Sequence, residues 1–240
     1  MKKLMNRAGL IYLAATVTLV IVFARLGFWQ LDRAAEKKQM LEHASQAQRA
    51  APERTLAFDD PRQFLYREFL LRGKFDLHRQ FLLDNRIHNK QAGFEVLTPF
   101  ITDSEGHVIL VNRGWVAHDG NRSLKTRIDV PRRDSDLISG LLTIPSRGFT
   151  LGDAIDGSQS GWPKVLQYLD YEAIGREISN GSVLPAVLVL AEDQPGSFAY
   201  NWRPVANGPH KHYGYAFQWF AMLLAVMTIF VYLNFIKKDE

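Results

Sequence analysis

Hydrophobic positions divide this chain into three regimes. Two apolar runs, residues 8–28 and 213–236, each approach the ~20 residues that a helix needs to cross ~30 Å of hydrocarbon. Between them the pattern is that of a globular domain. Residues 29–49 contain neither Pro nor Gly and are dominated by Ala, Glu, Lys, Gln and Leu. This predicts a helix that carries the first apolar run out of the membrane and stops before Pro52. Beyond it the pattern becomes strand-like. Residues 66–75 (YREFLLRGKF), 80–83, 93–101, 107–116, 137–144 and 184–191 are apolar with polar interruptions. Thr102-Asp-Ser-Glu-Gly106 has hairpin-turn chemistry, and Asp170 is placed to cap a short helix, YEAIGREIS. The expected fold is an α+β membrane protein with one transmembrane helix at each end (8–28 and 213–236). They flank a domain, 29–212, with a helical extension (29–50) and a mainly antiparallel, barrel- or sandwich-like β core (66–191) with a few helices.

Composition narrows the function classes. The 240 residues are 47% hydrophobic, and the segment between the runs is long enough for one core. A net charge of +4 is too mild for a nucleic-acid partner. The absence of cysteine excludes disulfides, thiolate metal sites, CxxC redox chemistry and covalent c-type haem attachment. No small-x-small cleavage site follows the first run, so it reads as an uncleaved anchor. Lys2, Lys3 and Arg7 flank one end and Lys237 and Lys238 the other. This favours cytoplasmic termini and a periplasmic central domain, or its mitochondrial equivalent; Arg33, Lys37 and Lys38 on the opposite flank weaken the asymmetry. Arg25 is placed to snorkel to the outer interface, where Phe28, Trp29, Tyr213, Tyr215, Trp219 and Phe220 would form an aromatic belt. Ala14 and Thr18 on the first helix, and Ala221 and Ala225 on the second, could allow close approach. A loop at 117–135 carries Arg122, Lys125, Arg127, Arg132 and Arg133, suited to solvent or to anionic head groups. A second loop, 146–164, is rich in Gly and Ser.

The chain has no GxSxG elbow, HExxH pair, Walker loop or GxGxxG, which argues against an enzyme. His78 and His88 read as surface residues. The distinctive stretch is GPHKHYGYAFQWF, residues 208–220, where a loop becomes a membrane helix. For a helix starting near His212, Tyr215, Ala216, Trp219 and Leu223 fall beneath it on one face. A neutral imidazole above a small residue and aromatics could ligate haem iron; equally, it could be a polar residue at the membrane interface. His210 and His212 share a face only in extended chain, as a two-histidine copper site would require. Two phrases echo each other, LLDNR at 82–86 and LVNRGW at 110–115. Arg86 and Arg113 could clamp carboxylates such as haem propionates, or hold loops in place by local pairing. Trp115 reads as core.

Together these pieces resemble the surfeit locus protein 1 family, the Shy-type proteins. LGFWQLDRAAEKK at 26–38 matches the pattern Leu-Gly-x-Trp-Gln-x-x-Arg-x-x-x-Lys. YREFLLRGKF, FLLDNR and GFEVLTPF follow in order, then VNRGWV at 111–116 and HYGYAFQWF at 212–220. The resemblance implies an assembly factor for haem-copper cytochrome c oxidase in a bacterial inner membrane. It would help haem a reach the catalytic subunit, and would be a chaperone rather than an enzyme. His212 would be the haem a axial ligand and the only metal contact, with haem a held transiently. Trp29, Gln30, Arg33, Asn112, Arg113, Gly114, Trp115, Tyr215 and Trp219 are its other motif residues. The implied partners are the oxidase catalytic subunit, the lipid bilayer and, further, haem a synthase. A scaffold that stabilises an oxidase subunit without ever holding haem remains the alternative.

Overall fold

A computed structural model describes residues 7–56, 60–103, 106–118, 128, 136–145, 152–155, 160–178, 183–200, 202–205 and 208–236. The chain forms two compact units, Met1–His43 with Pro204–Glu240, and Ala44–Arg203.

The first unit is built from two helices. α1 runs unbroken over Arg7–Gln48, its last turn belonging to the second unit. The continuity follows from the absence of proline through the apolar run and the Ala/Glu/Lys-rich stretch, with Gly27 tolerated at their junction. α3 spans Pro209–Val231 and passes into a π-helical turn at Tyr232–Ile236. Both helices are long and apolar enough to cross a membrane. Leu10, Ile11, Tyr12, Ile21, Leu224 and Ile229 point outward, as a hydrocarbon solvent permits and water would not. The helices approach at Gly27, where a Cβ would lie 2.7 Å from the Phe220 ring. The Phe28 and Phe220 rings meet edge to face at 5.4 Å, and Phe23 lies 5.8 Å from Trp219. The small residues singled out in the sequence do not make this contact. Ala14, Thr18, Ala221 and Ala225 are all exposed, and the Thr18 hydroxyl bonds back to the Ala14 carbonyl. Here a single glycine receives an aromatic ring, so a matched pair of small faces is unnecessary.

The second unit is a closed barrel. Its strands are β1 (Glu68–Phe75), β2 (Phe81–His88), β3 (Gln91–Thr102), β4 (Val108–Ala117), β5 (Asp136–Thr143), β6 (Lys164–Leu166) and β7 (Val183–Leu190). The hydrogen-bonded order is β1-β5-β7-β4-β3-β2-β6, and β1 also pairs with the far end of β3, through Gly73↔Thr102, Lys74↔Ile101 and Phe75↔Phe100. This closes a ring of β1, β5, β7, β4 and β3. Pairings are antiparallel except β4 with β7 and β2 with β6. Phe69, Leu71, Phe100, Ile109, Val111, Ile138, Leu142 and Leu188 fill one core. A second core lies under α2 (Tyr171–Ile178), where Ile174 and Ile178 meet Phe81, Leu97, Leu110 and Val187. β4 is therefore buried on both faces, which explains its continuous apolar run VILV. Asp170 caps α2 as expected, its Oδ1 accepting from the amides of Glu172 and Ala173 at 3.1 and 3.0 Å.

Three boundaries differ from the sequence pattern. β2 continues past Leu83 to His88, because a bulge at Asp84 and Asn85 interrupts the alternation without ending the strand. β6 stands at the end of the expected second loop; three residues are too few to show a period. α3 begins at Pro209 rather than near His212, because Pro at the first helical position has its φ preset and forgoes an amide that would have no partner there. The five arginines and lysines of the 117–135 loop lie outside the described residues, as does most of the Gly/Ser-rich loop.

Candidate functional site

His212 lies within the first turn of α3 and is half-buried. Its Nδ1 is 2.8 Å from Oε1 of Gln30 on α1, a residue 182 positions earlier in the chain. Gln30 is itself buried. Ala216, one turn below His212, is 2% exposed, and Phe220, another turn on, packs against Gly27. Residues at i, i+4 and i+8 of a helix share a face, so the strip beneath His212 is the strip that meets α1. The small residue expected beneath the imidazole is tightly packed. Tyr215 stands exposed on the flank of this strip, and Trp219 is half-buried against Phe23. His210 is exposed and, two residues away on a helix, points elsewhere. Trp29 is exposed beside the buried Gln30, and Arg33 pairs with Glu36 along α1. Thus Gln30 and His212 come together, Trp219 meets α1 separately at Phe23 about two turns away, and Trp29, Arg33 and Tyr215 turn outward.

The remaining motif residues belong to the barrel unit and centre on Glu95 of β3. Glu95 pairs in register with Leu83 on one side and Trp115 on the other. Each neighbouring strand inserts an extra residue beside it. From Leu83 to Arg86 β2 advances three positions against two on β3, and β4 does the same from Asn112 to Trp115. The echoing phrases LLDNR and LVNRGW are therefore two bulges flanking one residue. Asn85 takes a φ of 58° and Gly114 a φ of 110°. Asn112 Oδ1 accepts from the Gly114 amide at 2.9 Å and steadies the second bulge. A side chain at position 114 would meet the Ala199 carbonyl at 2.8 Å, so only glycine suits both the dihedral and the space.

Glu95 ties the two phrases together. Its Oε2 accepts from Asn112 Nδ2 at 3.0 Å and lies 3.8 Å from Arg86 Nε. Burial pushes its carboxyl above the ordinary value, while Arg86 and the Asn112 hydrogen bond pull it back in part. Trp115 is buried; its indole N–H donates to the Arg86 carbonyl at 3.0 Å, and His88 packs on its ring at 5.1 Å.

Arg113 is the largest fully buried side chain of the barrel unit, 1% exposed. Nε donates to the Gly196 carbonyl at 2.8 Å, and Nη1 to Gln80 Oε1 and Thr98 Oγ1 at 3.0 and 3.4 Å. The guanidinium lies 4.7 Å over the Phe198 ring. Burial draws its pKa down to about 10, so it stays charged at neutral pH. Backbone bonds from Phe198 to Arg113 and from Trp115 to Ala199, at 2.6 and 2.7 Å, fasten the 196–199 segment across the bulge. Nε thus holds the 196–199 segment and Nη1 the Gln80 and Thr98 side chains, while Nη2 is buried without a hydrogen-bond partner. Arg86 is likewise engaged locally, with Glu95. Sequence reasoning missed Glu95, Gln80 and Phe198. Glu95 alone left a signal, as the one acid inside the apolar run GFEVLTPF.

A model of the SURF1 family matches residues 17–224, a span that holds both Gln30 and His212 as well as the paired bulges. A SURF1-like protein of Rickettsia conorii is 30% identical over 231 residues, covering 90% of this chain and 87% of the relative. One from Monosiga brevicollis is 22% identical over 246 residues, 95% of this chain and 89% of the relative. The cytochrome oxidase assembly protein SHY1 of Saccharomyces cerevisiae is 28% identical over 120 residues, 45% of this chain and 29% of the yeast protein. With its barrel, its motif residues and most of both apolar helices inside the matched span, the chain belongs to the SURF1 family.

Proposed function

We propose that this protein is a membrane-anchored assembly factor for a haem-copper cytochrome c oxidase, and that it holds haem a at His212 on the way to the catalytic subunit. Family membership, with a relative named for cytochrome oxidase assembly, supports the assembly role. The observation that carries the haem reading is His212 itself, half-buried at the start of an apolar helix with one ring nitrogen engaged by Gln30. The other nitrogen suits a transition metal such as haem iron, and Tyr215 and Trp219, about one and two turns further along α3, offer aromatic surface. Haem a is cargo in this reading and the chain is a carrier, not a catalyst. The termini lie in the cytoplasm and the barrel in the periplasm of a bacterial inner membrane. There the barrel meets the oxidase catalytic subunit and, upstream, haem a synthase.

The test is a visible spectrum of detergent-purified protein from cells that make haem a, wild type against His212→Ala. A haem a band that disappears in the variant, at equal protein level and membrane insertion, is expected. A colourless wild type from cells shown to contain haem a would overturn the carrier reading. It would leave the scaffold, favoured in turn by the packed strip beneath His212.

A further inference from the structure

We infer that Gln30 is the positioning residue of this site, fixing the tautomer of His212 so that Nδ1 carries the proton and Nε2 presents its lone pair. The inference deepens the haem reading and depends on it only for the identity of the ligand.

A neutral imidazole has one N–H and one lone pair, and the hydrogen bond at one nitrogen decides the role of the other. Gln30 Oε1 is an acceptor 2.8 Å from Nδ1, so Nδ1 donates and Nε2 is left to bind metal. The reverse amide orientation would make Nδ1 the acceptor and put the proton on Nε2, where it would block an iron atom. The pair is not an accident of two long side chains on a wet surface. Gln30 is 9% exposed, and its height on α1 is set by Gly27, three residues earlier, which receives the Phe220 ring. Trp219 against Phe23 fixes the rotation of α3 in the same way. Apolar packing below therefore sets the polar contact above.

The choice of an amide also bears on function. Metal-bound histidines commonly donate their second N–H to a carboxylate, which raises the basicity of the ligand and strengthens the bond. A neutral amide orients the ring without adding that negative charge. Such a ligand suits a cargo that must be released.

The experiment uses the full-length protein in detergent or nanodiscs with ¹⁵N-labelled histidine, and long-range proton–nitrogen spectra that report which ring nitrogen is protonated. The His212 signals are identified by their loss in His212→Asn. In the wild type, above the pH at which the ring becomes neutral, Nδ1 is expected to carry the proton. Gln30→Leu should yield mixed tautomers. Gln30→Glu, which keeps an acceptor in place, should restore protonation at Nδ1; this separates positioning from a mere packing role. A proton on Nε2 in the wild type, or a tautomer unchanged in Gln30→Leu, would overturn the inference. Titration with haem a supplies a second readout. Loss of the orienting partner is expected to weaken binding about 10- to 100-fold in Gln30→Leu, and equal affinity in the two proteins would count against the inference. A wild type with the expected tautomer that takes up no haem a would refute the carrier reading and leave the Gln30 assignment standing.

Discussion

Glu95 shows how one side chain can organise two distant phrases and at what cost. It is the point at which Arg86 and Asn112 meet, yet it is largely buried and its carboxyl titrates above its ordinary value of 4.5. A raised acid binds its proton more tightly in the folded than in the unfolded state. Stability therefore falls as pH rises from the ordinary value through the folded one, where the folded state holds more protons. Unfolding midpoints of the wild type across mildly acidic to neutral pH should show this decline, and Glu95→Gln should flatten it. A steeper decline in the variant would mean that Arg86 and Asn112 outweigh burial. Arg113 is a buried charge of another kind, met by neutral oxygens at Nε and Nη1 and by an aromatic face, with Nη2 left without a hydrogen-bond partner. That LLDNR and LVNRGW both carry Asn-Arg at the end of an apolar strand was visible in the sequence. That their two arginines face different partners was not, because each bulge turns its strand by an amount that side-chain alternation does not record.

Among the elements, the helix pair depends most on one position. Gly27→Leu would place a branched side chain where the Phe220 ring lies 2.7 Å from an added Cβ, separating α1 from α3. The chain has no cysteine, so a Phe23→Cys, Trp219→Cys pair can be joined by a short thiol crosslinker without background. The yield should fall several-fold when Gly27→Leu is added, and an undiminished yield would show that the helices meet elsewhere. The elements themselves were largely legible. The two apolar runs, the long breaker-free helix, the capped α2 and most strands follow from period and composition. β6 was too short to read, and the exposed Ala and Thr spacings suggested a contact that aromatic rings make instead. His212 was legible as a candidate, but its partner was not. Gln30 lies at the other end of the chain, and nothing local in either segment pairs them.

For the molecule as a whole, the position of β7 is decisive. It is the last strand in sequence, yet it lies between β4 and β5 in the sheet, contributing Ala186, Leu188 and Leu190 to one core and Val183 and Val187 to the other. Residues 44–203, produced without the apolar helices, should fold with a single cooperative thermal transition, whereas residues 44–182 should show none. Comparable transitions in both fragments would mean that β7 is an accessory. The same placement governs how the protein is made. During synthesis β4 and β5 keep open the edges that β7 fills until that last strand has been made. α1 meanwhile tethers the unfinished chain at the membrane. A premature stop anywhere before β7 is expected to leave those two edges open, a substrate for quality-control proteases.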